Sequence, residues 1–261
     1  MDAVFQKLRR FNLIMGSFHL IQAIFMVFMA YFVISKLEAF QPTIFLNYLT
    51  YVPGEGLVLT GRELFTLPFG ILVACFLFIS ALAHYIISVP TKVFNVYVND
   101  LKKGINKFRW FEYAISSSIM IVLTAVLFGV VDLASLILIF VVNASMNFFG
   151  LVMEQLNSGF EKGKVKWGPF VWGSIAGLAP WVVIILYIFG SGEIANAPWF
   201  AWAILAAYFF SFNAFPFNMI AQYRKVGKWK DYLYGERTYI VLSLVAKSIL
   251  AWLVLFGAMQ P

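Results

Sequence analysis

Seven long apolar runs punctuate the chain, at residues 11–35, 64–89, 108–129, 133–153, 169–190, 198–222 and 238–258. Each is near or above the roughly 20 residues with which an α-helix crosses the hydrocarbon of a bilayer. The third and fourth runs nearly merge, because Asp132 is the only charge between Glu112 and Glu154. A stretch that long cannot be one span, so it predicts a fold-back at Gly129-Val130-Val131-Asp132. The pattern predicts an all-α membrane protein, a seven-transmembrane-helix bundle forming one domain over residues 1–261. Between the first two runs, TIFLNYLTYV and LVLTG flank Pro53-Gly54-Glu55-Gly56. Strand-like residues around a Pro/Gly turn suggest a β-hairpin on the extracellular surface, with an irregular loop as the alternative. Its free edge could serve a partner or a second copy.

Composition sharpens this. The chain is 62% hydrophobic and only 12% charged, against about a quarter charged in soluble domains. Nearly all of it belongs in lipid. The first run is too long for a cleaved signal peptide and has no small-residue cleavage site after it. Of 19 Lys and Arg residues, sixteen cluster before the first run, after the second, after the fourth and after the sixth. Only Lys36 and Arg62 fall on the other side, and Lys247 falls inside the last run. This bias predicts an N-terminus inside the cell membrane and a C-terminus outside. The net charge of +7 is then a matter of topology, and nucleic-acid binding need not be invoked. The single cysteine, Cys75, excludes an internal disulfide. CxxC, HExxH, GxGxxG and GxxxxGK[ST] patterns are absent from the sequence, so zinc, dinucleotide and P-loop chemistry have no foothold and no enzyme is expected.

The costly feature is Lys247, the only charge in YIVLSLVAKSILAWLVLFGAM. An ammonium at mid-membrane depth must be paired or chemically changed, and its side chain is too short to snorkel to either interface. A lysine at that depth in the last span is the usual attachment point for retinal through a Schiff base. Counting about 1.5 Å per residue from the outer helix ends places Lys247, Glu112, Ser243, His19, Ser80 and His84 in one layer, displaced to the inner side of the lysine. Glu112 is the candidate counterion, since a buried protonated Schiff base needs an adjacent carboxylate. An ion pair between Glu112 and Arg109 is the competing arrangement. Ser243 and Ser116 could bond to the pair. His19, Ser80 and His84 form a candidate proton-accepting polar cavity, since imidazole titrates near neutrality. Asn143, Met146, Gly150, Pro180, Trp181, Phe212 and Asn213 fall near midplane depth and are candidates for an apolar slot. Ordinary helix packing would use the same residue types.

The segments FRWFEYAISSSIMIVL (108–123), VNASM (142–146), GKWKDYLYGER (227–237) and YIVLSLVAKS (239–248) resemble those of the heliorhodopsins, seven-helix retinal proteins of inverted membrane orientation. The resemblance covers all seven runs. It implies Lys247 as the retinal lysine, Glu112 as its counterion, Ser243 as the serine one turn before the lysine, and His19 and His84 with Ser80 as a polar cavity. It further implies all-trans retinal that isomerises to 13-cis in light, a slow photocycle, no pumped ion, and a homodimer using the outer hairpin.

These observations favour a light-sensing photoreceptor read by a partner on the inner side. The alternative is a light-gated or light-driven ion transporter. A proton pump needs carboxylates on both sides of the Schiff base, whereas Glu112 is the one acid well inside the runs; Asp132, Glu154 and Glu193 stand at their ends. A retinal-free transporter or receptor leaves the depth match of Lys247 and Glu112 without a reason.

Overall fold

The computed structural model describes residues 3–33, 41–159, 164–190, 192 and 199–257. Lys36, Lys162 and Glu193, which entered the charge pattern, lie outside them. In chain order the elements are α1 (Ala3–Phe28, ending in a π-helical turn Met29–Val33), β1 (Thr43–Val52), β2 (Gly56–Thr66), α2 (Phe69–Ser88), α3 (Thr91–Lys102), α4 (Lys107–Leu127), α5 (Leu133–Leu156), α6 (Gly168–Gly190), α7 (Trp199–Tyr223), a short 3-10 turn (Gly227–Lys230) and α8 (Tyr232–Gly257). All of these helices but α3 are long and apolar enough to cross a membrane, seven in total among the described residues. They are the seven runs read from the sequence.

Two features depart from that reading. The first helix begins at Ala3 rather than near residue 11, so Lys7, Arg9 and Arg10 ride on it. Arg9 shows why: its guanidinium donates to the carbonyls of Ser88 (2.6 Å) and Val89 (2.9 Å) at the end of α2, groups that a helix terminus leaves without partners. The second is α3, an unforeseen helix between the second and third spans. Its apolar residues Phe94, Tyr97, Val98 and Leu101 recur at helical spacing and are buried. They close over Phe5 and Leu8 of α1, Ile87 of α2 and Ile240 of α8, so α3 covers the basic end of the bundle.

The fold-back between α4 and α5 has a clear origin. Gly129 takes a φ of 91°, a left-handed conformation that only glycine adopts without penalty. The Gly129 N–H then donates to Val126 O and the Val130 N–H to Ala125 O, 3.0 Å each, the paired bonds of a Schellman stop. Asp132 starts α5 by accepting from the Ser135 N–H at 2.9 Å.

β1 and β2 form an antiparallel hairpin with a register shift between Ile44 and Phe45. It turns at Gly54 and Gly56, with φ of 90° and 85°. The hairpin is stitched to the α4–α5 turn: the Phe45 N–H donates to Val131 O (2.9 Å), and both the N–H and the side-chain amide of Asn47 reach Asp132 Oδ1 at 3.3 Å. Within the bundle, α1 packs on α2 and α8, α4 on α2 and α5, α6 on α5, and α7 on α8. The main apolar core fills the hairpin-side half, where Leu250, Ala251, Val254 and Leu255 of α8 meet Ala23, Met26, Val73 and Leu77.

Candidate functional site

Lys247, one charge on an otherwise apolar helix, is 3% exposed and has found two partners. Its Nζ lies 2.6 Å from Glu112 Oε1 on α4 and 2.5 Å from Ser80 Oγ on α2. The Ser80 hydroxyl in turn lies 2.7 Å from the same carboxylate oxygen. Three helices therefore converge on one ionic triangle. Each charge alone at mid-membrane would cost roughly 2.5–3.5 kcal/mol; paired and hydrogen-bonded, they satisfy one another. The ring of Tyr113 lies 5.4 Å from the ammonium.

Glu112 is paired with Lys247 and not with Arg109. Arg109, counted above as a loop charge, is buried, and its two terminal nitrogens donate to Glu154 and Glu236. This corrects the view that Glu112 is the one acid inside the bundle. Glu154 and Glu236 are each 1% exposed, because Arg109, Asn106 and Trp110 supply the donors that let a carboxylate leave water.

The remaining polar candidates surround the triangle. Ser243 and His84 line a small polar cavity of about 40 Å³ together with Ser80, Glu112, Asn12 and Tyr97. His84 Nδ1 lies 2.8 Å from Asn12 Oδ1. The His19 ring stacks on His84 with centroids 5.7 Å apart, and both of its nitrogens are buried without a hydrogen-bond partner among the described residues. Ser116 is fully buried one turn beyond Glu112 on α4.

On the other side of Lys247 lies a larger cavity of about 320 Å³ between α4, α5, α6, α7 and α8, within the roughly 300–1,000 Å³ of small-molecule sites. Met146, Gly150, Trp181, Phe212 and Asn213 line it, as expected. Asn143 and Pro180 are not among its lining residues. Asn143 instead donates to Ser117 (2.9 Å) and Ser118 (3.0 Å), joining α5 to α4. Pro180 sits buried within α6. Residues that the depth argument missed include Trp110, Tyr113, Tyr208 and Phe215. Trp110 and Tyr113 bracket Glu112 at helical spacing, which was the available signal. Asn12 likewise precedes His19 by two turns.

The cavity suits a long apolar aldehyde. Its aromatic walls close in where side chains are absent: a Cβ at Gly150 would fall on the Trp110 indole, and one at Gly177 would lie 2.5 Å from Met146 Sδ. At its end stands the primary amine of Lys247, the group that condenses with an aldehyde. A family model described as Heliorhodopsin matches residues 8–259, nearly the whole chain.

The chain belongs to the heliorhodopsin family.

As a heliorhodopsin it is a retinal-binding, rhodopsin-type photoreceptor of the membrane and not an enzyme of the usual kind. No curated protein matches it.

Proposed function

We propose that this heliorhodopsin is a light sensor of one domain spanning residues 1–261, with all-trans retinal held covalently on Lys247. The observation that carries this reading is Lys247 at the junction of an apolar cavity and a polar one, its nitrogen 2.6 Å from Glu112. When bound as a protonated Schiff base, retinal supplies light absorption and isomerisation from all-trans to 13-cis. The chain does the rest. Glu112 and Ser80 hold the proton on Lys247 Nζ in the dark; Ser243 and Ser116 support them. Asn143, at the α4–α5 contact, and Pro180, within α6, stand behind the slot that Met146, Gly150, Trp181, Phe212 and Asn213 form. When the proton leaves Lys247 Nζ, the His19, Ser80 and His84 region on the basic side offers polar groups with room for it. Toward the hairpin, α8 runs Ser248-Ile249-Leu250-Ala251-Trp252-Leu253 into packed apolar side chains without an acid among the described residues. A proton that leaves and returns by one route gives a slow photocycle without net transport. The altered conformation is then available to a partner at the basic end.

The charge bias supports an inside N-terminus and outside C-terminus. Exposed Leu49, Tyr51, Leu57 and Leu59 on the hairpin support a homodimer built there.

The deciding experiment adds all-trans retinal to the purified apoprotein and records a visible spectrum. Wild type should become coloured, and Lys247→Ala should stay colourless for want of an amine. A visible band unchanged in Lys247→Ala would overturn the assignment.

A further inference from the structure

One turn from Glu112 along α4, about 4.5 Å of helix rise, lies a second ionic cluster that the light reaction above leaves idle. Arg109 of α4 bridges Glu154 of α5 and Glu236 of α8. Glu154 also accepts from the Asn106 N–H (2.8 Å) and the Trp110 indole (2.7 Å), and Glu236 from the Asn106 side-chain amide (2.8 Å). The guanidinium lies 3.9 Å from the Tyr239 ring. The other ionisable groups facing the cluster are phenols, those of Tyr97, Tyr113, Tyr223, Tyr232 and Tyr239, neutral at physiological pH.

The charge count is uneven. With both carboxyls ionised, one guanidinium faces two carboxylates and the buried cluster carries an excess negative charge. The Asn106 and Trp110 donors let that charge persist, but a single arriving proton would neutralise it. The two carboxyls would take that proton as a pair. Access comes through Glu236, which lines the same polar cavity as Glu112, Ser80, His84 and Ser243. At about 40 Å³ this cavity exceeds the roughly 10–15 Å³ a bridging water requires. Beyond the cluster, among the described residues, the route ends at buried side chains, Asn106 and the Tyr97 and Leu101 of α3.

We infer that the Glu154–Glu236 pair, clamped by Arg109 and entered through Glu236, is the terminal proton-holding site of the light reaction. The inference rests on the reading that the proton on Lys247 Nζ leaves in light. In this step the N–H bond breaks with its electron pair kept by nitrogen, an O–H bond forms on the pair, and the reverse occurs on return. The step starts from an unprotonated pair and ends with one proton on it, so charge and atoms balance within the bundle.

The test uses full-length protein loaded with all-trans retinal and labelled with 13C at glutamate carboxyls, followed by light-minus-dark infrared and visible spectroscopy together. As the visible band gives way to near-ultraviolet absorption, a protonated glutamic-acid C=O band should rise. Glu236→Gln and Glu154→Gln should each abolish it, since either leaves one carboxylate matched to Arg109. Glu236→Asp keeps two carboxyls around Arg109 and should keep a carboxylic-acid band at a shifted frequency, with reduced label sensitivity. A labelled wild type without the band, or a band at full amplitude in both Gln variants, overturns the inference. Should the Gln variants fail to fold, the labelled wild type and Glu236→Asp decide. The visible channel separates the two readings: absence of any near-ultraviolet state defeats the parent proposal, whereas that state with infrared bands indifferent to Glu154 and Glu236 defeats this one alone.

Discussion

Glu112 has a cation one turn away on its own helix and another across the bundle, and it takes the one across the bundle. Arg109 is already committed to two carboxylates, so Lys247 is the cation left to need an anion. Removing the Glu112 charge leaves that cation buried and unmatched, a loss of about 3–5 kcal/mol. In Glu112→Gln, the retinal-loaded protein should therefore shift its visible band, fade toward the near ultraviolet, or recruit a halide from solution. A spectrum identical to wild type at all chloride concentrations would move the counterion elsewhere. Lys247, Glu112, Ser80 and the histidines were legible in the sequence because a charge or imidazole inside an apolar run is costly and therefore conspicuous. The Arg109 cluster was not, since Arg109 and Glu154 stand near the ends of their runs and Glu236 precedes its own, where charges are ordinarily solvated. The spacing of Glu236, Ser243 and Lys247, seven and then four residues apart, does put all three on one helix face, but burial of the cluster also needs α3 closing over the basic end.

At the scale of elements, run length and a glycine sufficed to foresee the spans and the Gly129 turn. The amphipathic α3 was hidden, because a short helix lying against a bundle produces no long apolar run. The hairpin depended on Asp132, which does two tasks at once: it caps α5 and anchors Asn47 of β1. The Ser135 N–H, seconded by the Ser135 hydroxyl and Asn47, holds the Asp132 carboxyl below the usual carboxylate range. A carboxyl lowered in this way contributes stability that is fully present above the ordinary Asp value of about 3.9. That contribution is lost as pH falls through the lower folded value. Hydrogen-exchange protection of the Asn47 and Ser135 amides should hold constant from neutral to mildly acidic pH and drop only below about pH 4. Asp132→Ala should lose that protection at every pH, at a cost of about 1 kcal/mol for the missing cap. Protection in Asp132→Ala equal to wild type would show that the stitch does not hold the hairpin.

The whole molecule has a polar half and a packed apolar half, which makes transport and orientation testable together. Illuminated cells should show no sustained photocurrent and no protonophore-sensitive pH change. A tag after Pro261 should react with an impermeant reagent on intact cells, and one before Met1 should not. A robust photocurrent abolished by Glu112→Gln would favour the transporter, and reversed labelling would overturn the charge-based orientation. The three-helix clusters also bear on how the protein is made. Ribosomes deliver α4 and α5 long before α8, yet α8 brings both Lys247 and Glu236. Until then Glu112 lacks its cation, and Arg109, three residues earlier on the same helix, is the nearest one. The nascent chain should therefore hold Glu112 provisionally on the Arg109 nitrogen that Glu154 of α5 leaves over, a pair that the last helix dissolves by bringing Glu236 to Arg109 and Lys247 to Glu112. Biogenesis then ends in an exchange of partners, and a chain stopped before α8 would be left with its charges matched the wrong way.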